Sequence, residues 1–422
     1  MSRIVAGCVS TATGNIQVVP SLLLFAATTG YQIRVFAEAA RRLGIDLTLA
    51  TDRCHILDDP WGDHAIAVKF DRIPESLEAL RGRSFDGIAA VGDQPAVLAA
   101  EAAEMLGIPF HPPAAARACN DKFLARQLYQ AAGLRVPLFF RARFDDDPSV
   151  LAARAPYPCV LKPLGLSASR GVIRANDPEE FSAAFERIRK MGQEFLQVEG
   201  YIPGREFAVE GLVTEGRLEP LALFDKPDPL EGPFFEETIY VTPSREPAGV
   251  QRELLDTAAR AVRALGLWHG PVHAELRYNE EGAWMLEAAA RPIGGLCAKA
   301  LRFAPDLPLE ELILRHALGA DTAGARLADP ASGVMMIPIP KDGVYEGVEG
   351  IDGAREIPGV EDVIITAKEG QRLLPLPEGA SYLGFLFARG ETADQVECSL
   401  RRAHAELRFR IATALETFRP SS

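Results

Sequence analysis

The 422-residue sequence lacks the marks of a secreted, zinc-binding or membrane-spanning protein. Its cysteines form no CxxC pair, which is typical of a reduced protein without structural zinc. It has no apolar run of about 18 residues, and the opening MSRIVAGCVS contains no long apolar signal region. We therefore expect a cytoplasmic protein that does not cross a membrane. The cysteines are Cys8, Cys54, Cys119, Cys159, Cys297 and Cys398.

An excess of positive charge is also missing. The net charge is −13, from 45 basic and 58 acidic residues, which argues against nucleic-acid binding because phosphate contacts need a basic face. An anionic nucleotide could still bind, since a local site and a metal ion matter more than the overall field. With 48% hydrophobic and 24% charged residues, the chain is typical of a globular protein. Its length predicts two or three domains, and a homodimer is the default assembly.

The first part of the chain, residues 1–113, alternates predicted strands with predicted helices. The strands are IVAGCV, IDLTLAT and FDGIAAVG, and the helices are YQIRVFAEAARRLG, SLEALRG and PAVLAAEAAEMLG. This alternation predicts a parallel, Rossmann-like sheet. The turn GCVSTATGN is not a GxGxxG fingerprint, so we predict a structural layer or a wall of the substrate site there, not a dinucleotide site.

The remainder has a mixed pattern, giving an α/β fold class with α+β parts. A proline-bounded break, IPFHPPAA, precedes a predicted single helix, AARACNDKFLARQLYQAAGLRVP. Residues 114–320 then mix strands and helices. Residues 321–422 contain the strands VMMIPIP, GVEDVIITA and YLGFLFARG and the helix TADQVECSLRRAHAELRFRI, which predicts a C-terminal antiparallel sheet packed by helices.

Two segments carry lysines that could bind phosphates. Lys122 follows Asn120 and Asp121 at a predicted helix start, although many such lysines are merely solvated. In PCVLKPLGLSASRGV, Lys162 ends a buried-type strand before a loop of small residues, whose backbone N–H groups could approach phosphates closely. The alternative is a flexible hairpin turn, and the order of residues is not that of a Walker P-loop. The small loop residues are Gly165, Ser167, Ala168, Ser169 and Gly171.

A third segment, FLQVEGYIPGREFAVEGLV, joins two predicted strands through a Pro-Gly turn. Such a segment can act as a hinge that offers backbone groups to an adenine edge, while a carboxylate such as Glu206 binds ribose hydroxyls. An ordinary hairpin with a Pro-Gly turn is the alternative.

The fourth segment, GPVHAELRYNEEGAWMLEAAARPIGG, predicts a β-hairpin. If Glu280, Glu281 and Gly282 form a three-residue loop, Asn279 pairs with Ala283. This register places Glu275 opposite Glu287 and His273 opposite Ala289.

Two facing carboxylates predict a cation between them. Directly opposed Cβ atoms lie roughly 4.5–5.5 Å apart, and like charges repel there. Because oxygen ligands suit magnesium, we predict that Glu275 and Glu287 bind Mg²⁺, with Mn²⁺ as a second candidate. A solvent-facing edge is the alternative, but the apolar surroundings of Glu287 favour burial. Arg291 follows, and could bind a carboxylate or stabilise transferred phosphate, or else pair with a surface acid.

The order of these four segments resembles the ATP-grasp superfamily, from about residue 112 to 320. The first domain is similar to that family's pre-ATP-grasp domain, and the tail is similar to the C-terminal domain of biotin-carboxylase-like members. The segment FDKPDPLEGPFFEETIYVTPS resembles the L-amino-acid ligases, which join two amino acids. The resemblance implies an ATP-dependent carboxylate–amine ligase that forms an acyl phosphate, with a mobile lid at roughly residues 150–200.

The resemblance also implies roles for particular residues. Lys122 and Lys162 would bind ATP phosphates, and the loop from Ser167 to Gly171, including Ser169, would close over them. The family implies that Glu275 and Glu287 hold the magnesium ion, and Lys162 and Arg291 are the predicted catalytic residues. The remaining expected residues are Glu199, Tyr201 and Ile202 at the adenine hinge, Glu206 at the ribose, and Arg291, Gly294, Gly295, Tyr240 and His273 at the substrates.

Two departures from the family pattern bear on this prediction. The metal strand usually reads Glu-x-Asn, but Ala289 stands at the Asn position, so one ligand is missing. Dipeptide ligases often have a histidine where this chain has Tyr240, which leaves the acceptor amine open. The alternatives are an ATP-grasp enzyme for purine-type or bicarbonate substrates, a non-catalytic ATP-binding protein, and, more remotely, a nicotinamide oxidoreductase.

Overall fold

The computed structural model describes residues 19–28, 32–52 and 65–413. The predicted strand IVAGCV and the turn GCVSTATGN lie outside these residues. Across the described ranges, no helix combines the length and apolar character needed to cross a membrane. The described elements confirm the predicted α/β fold class with α+β parts.

The N-terminal part is a parallel sheet covered by helices. Its elements are β1 (Ser21–Ala26), α1 (Ile33–Leu43), β2 (Asp46–Thr51), β3 (Ile66–Ala67), α2 (Ile73–Leu80), β4 (Gly87–Val91) and α3 (Asp93–Leu106). The described strands are ordered β3-β2-β1-β4, and neighbouring strands are parallel. In β1, Leu22 and Leu24 pack on one face and Leu23 and Phe25 on the other, because side chains alternate along a strand. Burial on both faces explains the continuous apolar run of β1, which we did not predict as a strand.

The single helix predicted for residues 115–137 is two helices, so that prediction was wrong, whereas the predicted helix start at Lys122 is confirmed. They are α4 (Pro113–Asn120) and α5 (Lys122–Ala131). The break is at Asp121, whose backbone is extended and whose carboxylate accepts from the N–H groups of Phe123 and Leu124 at 3.0 Å each. Aspartate is a favoured N-cap residue, and here it starts a new helix. The cap places Lys122 in the first turn of α5.

A small antiparallel sheet with two helices forms a separate unit, which we call the lid. Its elements are β5 (Phe139–Arg143), α6 (Pro148–Arg154), β6 (Cys159–Pro163), β7 (Ile173–Ala175), α7 (Pro178–Arg189) and β8 (Phe195–Gly200). The strand order is β5-β8-β6-β7. The lid has its own apolar core, in which Phe181 and Phe185 of α7 pack on Leu161 of β6 and Val198 of β8.

One eight-stranded antiparallel sheet runs through the middle and C-terminal parts. Before residue 320 the elements are β9 (Arg205–Thr214), β10 (Arg217–Lys226), β11 (Ile239–Thr242), α8 (Ala248–Leu265), β12 (Gly270–Asn279), β13 (Gly282–Ala289), a 3-10 turn (Cys297–Ala300), β14 (Arg302–Phe303), β15 (Leu307–Pro308) and α9 (Leu309–Ala317). After it come β16 (Ala331–Ile337), β17 (Gly343–Glu349), α10 (Ile351–Glu356), β18 (Val360–Ile365), β19 (Arg372–Leu373), β20 (Gly384–Gly390), α11 (Ala393–Glu406) and β21 (Arg408–Ala412).

The strand order of this sheet is β13-β12-β9-β10-β11-β16-β20-β18. The predicted C-terminal strands therefore extend the sheet that carries the paired glutamates. The helix predicted near the C-terminus was drawn too long, because α11 ends at Glu406 and the next residues form β21. β21 pairs with β17, which explains why RFRI leaves the helix.

Candidate active site

The two glutamates of the β12–β13 hairpin face each other, as predicted. Glu275 pairs with Glu287, and His273 pairs with Ala289. The predicted three-residue loop was wrong, because Asn279 pairs with Gly282 rather than Ala283. A β-bulge lies between the turn and the glutamates, and its extra residue offsets the shorter loop.

Glu275 lies among cationic groups. Its carboxylate is 3.4 Å from Nε2 of His273 and 3.5 Å from Nζ of Lys226. Burial alone would raise the pKa of Glu275, but the charges of Lys226 and His273 lower it overall. His273 also contacts Glu210 through Nδ1 at 3.0 Å. Burial opposes the charged imidazolium, yet the two carboxylates raise the pKa of His273 to about 9, so both ring nitrogens carry protons at neutral pH.

Lys226, at the end of β10, joins three carboxylates. Its ammonium is 2.9 Å from Glu206, forms a shorter ion pair with Glu237, and lies near Glu275. Oxygen atoms of these three glutamates all lie within 4.8 Å of one another. Burial raises the pKa of Glu237 to about 7, helped by repulsion from Glu275, while Lys226 acts in the opposite direction. The ring of Tyr240 lies 5.0 Å from the Lys226 ammonium and is buried.

Glu287 is the more open of the opposed pair, with 42% of its side chain exposed against 18% for Glu275. Nζ of Lys122 lies 3.8 Å from Glu287 and donates to the carbonyl of Leu166 at 2.8 Å. Lys122 therefore links the hairpin to the start of the small-residue loop. Two of the predicted phosphate-site groups, Lys122 and the loop, meet one predicted metal ligand here.

The small-residue loop, residues 164–172, has a tight backbone. Ala168 and Ser169 have φ of 55°, and Gly171 has φ of 67°. Left-handed backbone is unfavourable for residues other than glycine and is found where the surroundings hold it in place, as at ligand clamps. Burial would raise the pKa of Asp93 at the start of α3, but Arg291, Lys122 and the nearby side chain of Ser167 lower it overall. The N-terminal part therefore contacts this loop directly.

Lys162 and Glu199 form a buried ion pair in the lid. Nζ of Lys162 is 2.6 Å from Glu199, and Arg126 of α5 donates to the same carboxylate at 2.8 and 3.0 Å. Burial would raise the pKa of Glu199, but Arg126 and Lys162 lower it to about 2. Glu199 therefore holds Lys162 in place, and we had not predicted that role for it.

The hinge segment after β8 is tied to the hairpin by Arg277. Its guanidinium donates to Glu206 at 2.8 Å and to the carbonyl of Ile202 at 2.6 Å. The ring of Tyr201 stacks on Phe235 with 6.4 Å between centroids. Glu206 is thus shared between Arg277 and Lys226.

Arg291 leaves β13 and reaches the N-terminal part. Its Nε donates to Asp93 at 2.8 Å. Burial alone would lower the pKa of Arg291, but the charge of Asp93 raises it, so the guanidinium stays charged. A Cβ at Gly294 would meet no other described atom within 4 Å, whereas one at Gly295 would lie 3.0 Å from Phe385. Backbone is thus accessible next to Arg291 at Gly294.

Sequence reasoning missed several charged residues of the site. Asp93 lies two residues after the end of β4, and ligands of α/β proteins bind at the carboxyl ends of parallel strands, so its position was a usable signal. Lys226 and Glu237 lie in a segment that we used only for its resemblance, although Lys226 is the second residue after the apolar run LALF. The missed residues are Asp93, Arg126, Glu210, Lys226, Glu237 and Arg277.

Three family models match the chain. The ATP-grasp N-terminal domain matches residues 37–110, the ATP-grasp domain matches residues 155–300, and the L-amino acid ligase C-terminal domain 2 matches residues 335–412. These matches follow the three parts of the fold in order.

Solved structures and curated relatives agree with these matches. The crystal structure of an L-amino acid ligase from Bacillus licheniformis is 25% identical, covers 93% of this chain and 99% of its own, and has a TM-score of 0.77. The alanine–anticapsin ligase of Bacillus subtilis is 29% identical over 222 residues, which are 46% of this chain and 46% of that ligase. More than half of that ligase therefore lies outside the match.

A carboxyaminoimidazole ribonucleotide synthase from Aspergillus clavatus, solved with ATP, is 17% identical with a TM-score of 0.70, over 92% of this chain and 99% of its own. That likeness shows the fold alone. The family models and the L-amino acid ligase structure show the family as well as the fold. The chain is therefore an ATP-grasp protein that carries the C-terminal domain of the L-amino acid ligase branch.

Proposed function

We propose that the protein is an ATP-dependent carboxylate–amine ligase, which joins an amino-acid-like carboxylate to an amine through an acyl phosphate and releases ADP and phosphate. The observation that carries the proposal is the convergence at one place of the loop 164–172, Lys122, the opposed pair Glu275 and Glu287, and Arg291. The match to the L-amino acid ligase C-terminal domain supports this substrate class over purine-type substrates.

The opposed glutamates fit the magnesium ion that the family implies. Both offer carboxylate oxygens, which are preferred ligands of Mg²⁺, and Glu287 is exposed enough to accept a further ligand. When bound there, Mg²⁺ would neutralise phosphate charge. Ala289 offers no ligand opposite His273, and the protonated His273 and Lys226 already compensate Glu275. We therefore expect Glu287 to be the more important of the two ligands.

The nucleotide would lie between the lid and the large sheet. Lys162, held by Glu199, and Lys122, held at the loop, would direct their ammonium groups to the phosphates. The backbone of loop 164–172 would add N–H donors. The hinge after β8 would supply the adenine contacts, with Tyr201 and Ile202 held by stacking and by Arg277.

The chemistry needs alignment and charge compensation more than a covalent nucleophile. A carboxylate oxygen of the first substrate attacks the γ-phosphorus of ATP, and the bond to the β-phosphate oxygen breaks to release ADP. The neutral amine of the second substrate then attacks the carbonyl carbon, loses a proton, and expels phosphate. Arg291 would bind the acyl phosphate, and a closed lid would keep water from it.

The test is a screen of amino acids and amines in pairs for the release of ADP and phosphate. We expect release with Mg²⁺ only when both a carboxylate and an amine are present. The proposal fails if no pair elicits release from folded protein.

Replacing Glu287 tests the proposed metal site without disturbing the fold. Glu287→Gln should lower turnover at least about a hundredfold, because a charged metal ligand is lost. The fold should persist, since this side chain is 42% exposed. Glu281→Gln is the matched control, because Glu281 is exposed in the turn of the same hairpin and should keep full activity. Unchanged turnover in Glu287→Gln removes Glu287 from the metal site.

A further inference from the structure

The lid touches the C-terminal part of the chain at a corner formed by residues 377–378, between β19 and β20. The N–H of Gly171 donates to the carbonyl of Pro377 at 2.9 Å. Arg187 of α7 donates to both carboxylate oxygens of Glu378, from Nε at 2.6 Å and from Nη2 at 2.9 Å. The hydrogen bonds from Arg187 lower the pKa of Glu378, which keeps this carboxylate charged. We call this contact the 377–378 corner.

The corner matters because the lid is a body with its own core. Phe181 and Phe185 pack inside the lid, and of the described residues in this core only Phe234 comes from outside the lid, so apolar burial does little to fix its position against the large sheet. Its polar contacts must help to do so. The Arg187 guanidinium also lies 5.0 Å from the ring centre of Phe234, in the segment that follows β10. Arg187 is thus held between Phe234 and Glu378, two parts of the chain outside the lid.

The corner acts on the end of the small-residue loop. A Cβ at Gly171 would lie 2.9 Å from Pro163, and the positive φ of Gly171 favours glycine, so its N–H has one defined direction. The left-handed residues Ala168 and Ser169 precede it. The loop is anchored at its start, where the carbonyl of Leu166 accepts from Lys122. Pro377 supplies the anchor at its other end.

We propose that Glu378 is a positioning residue for nucleotide binding: it holds Arg187 so that Pro377 can fix Gly171, and the loop 164–172 keeps its shape over the phosphates. The phosphate role of the loop rests on the proposed function. Arg187 and Glu378 have 45% and 41% of their side chains exposed. An exposed pair is weak and can break each time the lid opens. The C-terminal part thereby favours the closed lid without locking it.

The experiment compares Glu378→Gln with Glu194→Gln. Glu194 pairs with Arg143 at 3.1 Å inside the lid, with 64% of its side chain exposed, so its loss removes the same charge without touching the corner. Hydrogen exchange is measured on ligand-free protein over residues 164–175, and ADP affinity by calorimetry. In Glu378→Gln we expect faster hydrogen exchange at Gly171 and ADP affinity about two- to fivefold weaker. The effect is small because an exposed ion pair contributes little free energy. Glu194→Gln should match the unaltered protein.

With a productive substrate pair, a loosened lid should also admit water to the acyl phosphate. The ratio of phosphate released to amide formed should therefore rise in Glu378→Gln and not in Glu194→Gln. Arg187→Gln breaks the same ion pair from the lid side and should give the same three changes.

Loop exchange and ADP affinity that are the same in Glu378→Gln, Arg187→Gln and Glu194→Gln would overturn the positioning role. Exchange and ADP binding require neither carboxylate nor amine. A failed search for substrates would therefore reject the ligase function while these two measurements still decide the role of Glu378.

Discussion

At the scale of single residues, the buried lysine next to the proposed metal site is the least ordinary feature. Lys226 has 2% of its side chain exposed and contacts Glu206, Glu237 and Glu275. Removing one partner of a buried ionic group leaves uncompensated charge, which costs more than the pair itself contributes. Lys226 is therefore expected to be needed for folding as well as for the electrostatics of the site.

Lys226→Met should lower the free energy of unfolding by about 3–5 kcal/mol, because Glu237 and Glu275 lose their shared cation. Urea denaturation measures this. The control is Lys299→Met, since Lys299 is 47% exposed and pairs with Asp362 on the surface. Its cost should stay below about 1 kcal/mol. Equal losses in the two variants would contradict a structural role for the buried cluster.

The sequence could predict the Glu275–Glu287 pair because the two strands of a hairpin are adjacent in the chain, and because a one-residue bulge offset the one-residue error in the predicted loop. It could not predict the contacts of Lys226 with the same site. Those depend on β9 lying between β10 and β12, and strand pairing between distant segments leaves no local pattern. The contact between Asp93 and Arg291 was hidden for the same reason, because the two residues are 198 positions apart.

At the scale of elements, three histidines lie where α9 packs near the start of β12. The rings of His269 and His316 stack with 4.1 Å between centroids. Nδ1 of His111 accepts from the N–H of Trp268 at 3.2 Å, so Nε2 carries the proton and donates to the carbonyl of Pro271 at 3.0 Å. Burial lowers the pKa of both His111 and His316 to about 4. It also lowers the pKa of His269, although the nearby charge of Glu215 acts in the opposite direction.

These histidines predict sensitivity to acid. In the unfolded chain a histidine binds a proton near pH 6.5, whereas in the fold His111 and His316 bind it only near pH 4. The unfolded state thus holds more protons between these values, so stability is complete above pH 6.5 and falls as the pH drops toward 4. By pH 5 the loss should be about 2 kcal/mol per histidine.

Unfolding free energies at pH 7 and pH 5 test this prediction. His111→Gln should be less stable at pH 7, since it loses the contact with Trp268, but should lose less stability on going to pH 5. The same difference between the two pH values in His111→Gln and in the unaltered protein would exclude His111 as a titrating group.

The sequence predicted whether a segment forms a helix or a strand better than it predicted where each helix or strand begins and ends. The alternation of strand-like and helix-like segments in the N-terminal part predicted β2, β4 and α1 to α3, whereas SLLLFA was not assigned, although a continuous apolar run is typical of a strand buried on both faces. The break at Asp121 was indicated by the predicted helix start at Lys122, but the single helix predicted across it was wrong because helical periodicity continues there. The joining of β11 to β16 could not be foreseen, because it pairs strands on either side of residue 320.

At the scale of the whole molecule, the loop 164–172 is where the parts of the chain meet. Asp93 reaches it from the N-terminal part, Lys122 links it to Glu287 on the hairpin, and Pro377 holds its end from the C-terminal part. The order of the motifs in the sequence predicted that Lys122, the loop 164–172 and Glu287 belong to one site. The contributions of the flanking parts come only from packing, and for that reason the sequence alone could not show them.

The most direct measurement follows an oxygen atom from the carboxylate substrate to the released phosphate. A carboxylate labelled with ¹⁸O in both positions is supplied with ATP, Mg²⁺ and an amine that supports turnover, and the phosphate is analysed by mass spectrometry. An acyl phosphate requires one labelled oxygen in each phosphate released, because the carboxylate oxygen that attacked the γ-phosphorus leaves with it. Phosphate without label, or release of AMP and pyrophosphate, would contradict a ligase that works through an acyl phosphate.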